Sequence, residues 1–147
     1  MSGETIVVFG TQMTLQTGAS GAVANGAVAA TANGYDIVAN GSSFPDADFV
    51  LAVLFTVAPA ENSVIALYAQ PASIDGANSA QQPEATRPTI FIGSFVVNDV
   101  TTVQYIQLSA SNVPKNALYY VHNSGTGQSM SAGWTLKVTP RSYKAAP

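Results

Sequence analysis

Residues 47–70 read "ADFVLAVLFTVAPAENSVIALYAQ", and their reading decides the fold class. Two runs rich in Val, Ile, Leu, Phe and Tyr flank Pro59, Ala60, Glu61 and Asn62, residues with turn chemistry. The spacing predicts a strand over 47–58, a second strand over 62–70, and a hairpin joining them. In the first run, Phe49, Leu51, Val53, Phe55 and Val57 share one face because strand side chains alternate. Val50, Ala52, Leu54 and Thr56 share the other. Both faces are largely apolar, which predicts burial on both sides. One face can fill a core. The other needs a cover from a loop, an arm or a second subunit, and Leu54 is the candidate contact residue there.

The rest of the chain repeats this pattern. "TIVVFG", "QMTLQT", "YDIVAN" (35–40), "PTIFIGSFVVN" (88–98), "TVQYIQLSA" (102–110), "ALYYVHN" (117–123) and "GWTLKVT" (133–139) are short β-prone runs bounded by Gly, Pro, Asn, Asp and Ser. No window of a dozen residues carries apolar positions at helical spacing together with helix formers and a cap. The expectation is an all-β chain, a single-domain antiparallel β-sandwich over 1–147 with eight or nine strands. A chain of 147 residues buries roughly 70% of its unfolded surface, enough for one core.

Three segments do not read as strands. Residues 18–34, "GASGAVANGAVAATANG", are small side chains with two Asn-Gly steps, read as an extended or loop segment. Residues 71–88, "PASIDGANSAQQPEATRP", form a long polar connection, an interaction loop or a disordered excursion. The end, "KVTPRSYKAAP", holds Lys137, Arg141 and Lys144 of the chain's five bases. It is a solvated tail, or a basic tail that docks on an acidic neighbour.

Charge is scarce: 9% of residues are Asp, Glu, Lys or Arg, against about 25% in ordinary domains. Such a surface carries small desolvation penalties when buried against another protein. Net charge is −3, which argues against nucleic acid as the main partner. There is no Cys, so no disulfide framework and no thiolate metal site. No basic and apolar leader opens the sequence, and Phe49 to Phe55 is too short for a bilayer, which needs about 20 residues. Neither a secretory leader nor a membrane partner is expected.

Catalytic patterns are weak. His122 is the only histidine, without a nucleophile-elbow pattern to pair with. Asp46 and Asp48 fall on one face at i, i+2, yet two carboxylates make a poor calcium site and "FPDADF" reads as a turn into a strand. "GTGQSMSAG" lacks the Lys of a phosphate loop and is followed by a strand, not a helix. It reads as the connection of a hairpin between 117–123 and 133–139, with Trp134 sealing one end of the core. No catalytic residue, metal or cofactor is expected.

The pieces "DFVLAVLFTVAPAENSVIALYAQP", "RPTIFIGSFVVN" and "SAGWTLKVTPRSY" together resemble, in style and layout over roughly 45–144, the accessory structural proteins of tailed-bacteriophage virions. The likeness is to capsid cement or decoration proteins with a jelly-roll-type β-sandwich. It implies a non-enzymatic protein on the capsid surface, assembled in the bacterial cytoplasm. Its partners would be the major capsid protein and itself, as a homodimer or homotrimer. The segments 1–4, 18–34 and 140–147 would be arms, with Arg141, Tyr143, Lys144 and the 71–88 loop as contacts. The alternative is a phage tail or fibre module, or a secreted module, that stacks exposed Tyr119, Tyr120 and Trp134 on sugar rings.

Overall fold

The backbone of the run that opens at Asp46 is bonded on both sides, but not to the run that follows it. A computed structural model of the chain describes residues 3–36, 44–73, 75–87, 90–114 and 116–147. Its strands are β1 (Thr5–Phe9), β2 (Met13–Gln16), β3 (Val28–Ala30), β4 (Tyr35–Asp36), β5 (Asp46–Val53), β6 (Val64–Pro71), β7 (Ile90–Val96), β8 (Gln104–Ala110), β9 (Asn116–His122) and β10 (Thr135–Ala145). No helix occurs among the described residues. All pairings are antiparallel and fall into two sheets, β1-β10-β5-β8 with β2 also on β10, and β3-β9-β6-β7 with β4 also on β9.

β1 and β2 line one edge of β10 in succession, and β3 and β4 do the same along β9. Counting each couple as one interrupted strand gives eight. In chain order the sheets then run first-eighth-third-sixth and second-seventh-fourth-fifth. This is a jelly roll, two packed sheets built from Greek keys. The expected strand 35–40 is described only at Tyr35 and Asp36; 37–43 lie outside the described residues.

Alternation works as the sequence implies. Phe49, Leu51 and Val53 point between the sheets and are buried, meeting Ile65, Leu67 and Ala69 of β6, Phe95 of β7, Tyr119 and Val121 of β9, and Leu136 and Val138 of β10. Phe49 and Tyr119 pack ring to ring across the sandwich, with centroids 5.1 Å apart.

Two expected hairpins are not hairpins. β5 and β6 lie in different sheets, as do β9 and β10. β5 stops at Val53, well short of residue 58, because the chain turns over the end of the sandwich there. Phe55 bridges Met130 in the core, and Val57, expected on the core face, is exposed. The hairpin that does form between consecutive strands is β6–β7, closed by the long 71–88 connection.

The expected arms are also integral. Residues 140–145 continue β10, where 141–145 pair with β1, and the Ala146 N–H donates to the Glu4 carbonyl at 2.8 Å. Within 18–34, Val23 is buried and bonded to Met130 in both directions, and β3 adds to β9. The described part of 1–4, Gly3 and Glu4, leads straight into that pairing. Pro140 lies inside β10. It is accommodated because the edge opposite it is irregular: Phe9 pairs with Arg141 but Met13 with Val138, leaving Gly10, Thr11 and Gln12 against two residues. Proline is tolerated at such a bulge.

Candidate functional site: an uncovered sheet face

The outward side chains of the first sheet form one surface. β5 contributes Asp48, Val50 and Ala52; β8 contributes Tyr105, Gln107 and Ser109; β10 contributes Thr135, Lys137, Thr139, Arg141 and Tyr143. Beyond β10, β1 adds Val7 and Phe9, which pair with Tyr143 and Arg141. Tyr105 is 77% exposed and Phe9 60%. A shallow concavity of about 430 Å³ lies on this face, with Leu54, Val103, Tyr105 and Lys137 among its walls. Leu54 is half-buried at its rim, so the outer face of β5 meets solvent rather than a cover from its own chain.

Most of the charge here is neutralised internally. Asp48 accepts a hydrogen bond from the Ser109 hydroxyl at 2.8 Å and lies 3.4 Å from Arg141 Nε. The Arg141 guanidinium sits 5.4 Å from the Tyr143 ring centroid and donates to its hydroxyl. Arg141, expected as a docking base, is thus held by its own neighbours, whereas Tyr143 and Lys144 are exposed. Asp46 shares the face, as i, i+2 spacing requires, and accepts a hydrogen bond from the Asn112 N–H at 3.2 Å.

The second sheet is different. Its outward side chains include Tyr68, Gln70, Phe91, Tyr120 and His122. Tyr68 contacts Phe91 and His122, with centroids 5.6 and 6.1 Å away. The chain covers part of this face itself. The Tyr120 hydroxyl donates to Gln70 Oε1 at 2.9 Å, and Gln70 Nε2 donates to the Ala80 carbonyl at 2.7 Å. Ala80 N–H donates to the Pro71 carbonyl, so the 71–88 connection folds back over β6. Desolvation raises the Tyr120 phenol above its ordinary pKa. That loop, expected as a contact arm, is spent partly on its own sheet.

Residues expected to carry acid–base chemistry do not meet. His122 lies on the outer face of the second sheet and the two aspartates on the outer face of the first. Among the described residues no group of three or more His, Asp or Glu side chains could hold a metal.

The three aromatics expected to stack on sugar rings are buried. Tyr119 is 0%, Tyr120 3% and Trp134 3% exposed. Trp134 donates its indole N–H to the Gly21 carbonyl at 2.9 Å and seals one end of the core. None of the three offers a ring face to a ligand. Among the described residues the exposed aromatics are instead Phe9, Phe91, Tyr105 and Tyr143. Tyr105 could have been found in the sequence: in "QYIQLSA" it shares a face with the polar Gln107 and Ser109, while Ile106 and Leu108 face the core.

No family model matches the chain, and no curated protein matches it significantly.

Proposed function

We propose that this chain is a non-enzymatic structural module that binds another protein through the outer face of its first sheet, and that it acts as a capsid decoration protein. It would sit outside a phage capsid and cement neighbouring major capsid protein subunits. The observation that carries the reading is the uncovered face from Tyr105 to Phe9, a polar centre flanked by exposed Tyr105 on one side and Tyr143, Val7 and Phe9 on the other, with its aspartates and Arg141 paired within the chain. Burying such a face removes apolar area from water at about 25 cal/mol per Å² as an upper bound, with few charges to desolvate. Exposed aromatic side chains such as Tyr105 and Tyr143 are the residue types that carry much of the energy of protein interfaces. The jelly roll supports the reading because viral capsids use the same architecture. So does the layout likeness to cement proteins.

The test is co-sedimentation with purified phage heads built from a major capsid protein. Saturable binding at fixed stoichiometry is expected, and Tyr105→Glu should weaken it at least about tenfold, or about 1.4 kcal/mol. Failure to sediment with heads at micromolar concentration would overturn the reading.

A further inference from the structure

β1 is an edge strand of the first sheet. Its sequence, "TIVVF", holds five β-prone residues without a charge, a proline or a glycine. One edge is bonded to β10. No strand among the described residues pairs with the other. Natural proteins blunt such edges with lysines, prolines or bulges, and within Thr5–Phe9 β1 has none of these. Most of its side chains are in solvent, with Val8 half-buried. Val7 and Phe9 are exposed on the outer face, and Ile6, which points the opposite way, is exposed too. β1 and residues 142–145 of β10 therefore form a two-stranded ribbon, exposed on its outer face and, at Ile6, on its inner face, with Val8 and Ser142 half-buried.

The hydrogen-bond phase of this ribbon identifies which backbone groups are free. The Ala146 N–H donates to the Glu4 carbonyl, and the Gly10 N–H donates to the Pro140 carbonyl. The register from Thr5↔Ala145 to Phe9↔Arg141 lies between these two bonded pairs. In an antiparallel ladder bonded pairs alternate with non-bonded ones. Ile6 and Val8 therefore direct their N–H and C=O groups at β10. Thr5, Val7 and Phe9 direct theirs at the open edge.

We propose that this edge pairs with the same edge of a second copy of the chain, antiparallel, about a two-fold axis at Val7. In that register Val7 lies opposite Val7, and Thr5 opposite Phe9, in both directions. Every outward-pointing residue of one strand then faces an outward-pointing residue of the other. Three pairs exchange bonds, six in all by that count. The side chains agree with the backbone. Val7 meets Val7 and Thr5 meets Phe9 on one face, while Ile6 meets Val8 on the other. These are β-branched and aromatic cross-strand pairs, with no like charges opposed. The free edge is thus its own complement, the property a two-fold interface requires. Pairing joins the two first sheets into one continuous sheet and sets the two uncovered faces side by side. It stands independently of the capsid reading, since it needs only this chain.

Mass in solution tests it first. At tens of micromolar the chain should have twice the 15.1 kDa of a single copy. Val7→Pro should return it to 15.1 kDa, because the lost N–H points away from β10 and the ladder within the chain is unaffected. Register is tested by cross-linking, clean in a chain without cysteine. Under mild oxidation Val7→Cys should form a disulfide-linked dimer. Thr5→Cys should not, since its symmetry mate is four positions along the ladder, about 13 Å away and beyond the reach of a disulfide. A single-copy mass at that concentration overturns the proposal, and so does equal cross-linking of the two cysteine variants.

Discussion

Asn123 holds the connection between β9 and β10 in place. Its side chain is fully buried. Nδ2 donates to the carbonyls of Val23 at 3.1 Å and Gln128 at 2.7 Å, and Oδ1 lies 2.5 Å from the Thr126 hydroxyl. Around it the Gly26 N–H donates to the Asn123 carbonyl and the Asn123 N–H to Ala27, while Gly127 and Gly133 supply left-handed turns at φ +75 and +92. Asn123→Ala removes the buried side-chain bonds that tie 23, 126 and 128 together, although the Val23 carbonyl keeps the Met130 N–H and the Gln128 carbonyl keeps the Thr126 hydroxyl, and should cost about 1–2 kcal/mol. A lower guanidinium midpoint at constant slope would register it, and Ser124→Ala, at an exposed neighbour, should shift the midpoint far less. Asp75 makes a second local prediction. Its carboxylate accepts from the Ala77 N–H and from the backbone and side chain of Asn78, chiefly the latter, which lowers its pKa to about 2. A depressed carboxylate pKa means that the turn is held fully above the ordinary value of 3.8 and released as pH falls through about 2. A carboxyl-carbon NMR titration should show its midpoint near the lower figure. The sequence showed a glycine-rich loop at 123–133 and could not show its anchor, because Val23 lies a hundred positions from Asn123.

Strands were legible where alternation was strong. β5 to β9 fall within about two to five residues of their expected bounds, since burial on one face and turn residues at the ends both leave a mark in the sequence. Less legible were features set by a partner strand. β10 runs through Pro140 because the edge opposite is bulged, and β3 is too short and alanine-rich to announce itself. Gly93 is a further case. It reads as a weak point in "IFIGSFV", yet a Cβ there would stand 2.6 Å from Leu108 Cδ1 and 2.8 Å from Cδ2, on β8 of the opposite sheet. The missing side chain lets β7 and β8 approach at the sandwich edge. Gly93→Ala should destabilise by about 1–3 kcal/mol through overpacking. Adding Leu108→Ala should recover part of it, with a coupling above about 0.5 kcal/mol in a double-mutant cycle. Additive effects would show that the two residues do not share that space.

At the scale of the molecule, fold class was readable and connectivity was not. Composition and alternation specify a two-layer β structure, but a four-residue turn signal at Pro59–Asn62 is satisfied equally by a hairpin and by a chain crossing between sheets. The jelly roll uses the crossing, and among the described residues β6 and β7 are the only consecutive strands that pair. The uncovered face was half legible. Its apolar residues on β5 were evident, yet Tyr105, Val7 and Phe9 join them only once β8, β10 and β1 are ordered around that strand. The two outermost strands of the chain have one more consequence. Thr5 lies beside Ala145, so the described ends emerge together from one end of the ribbon. Tension applied to the two ends would act across the ladder rather than along it and would peel β1 from β10 one bonded pair at a time, like a zipper. A molecule built this way resists force well through its broad faces and poorly through its ends. If it holds neighbours together under pressure, the force must enter through the sheets.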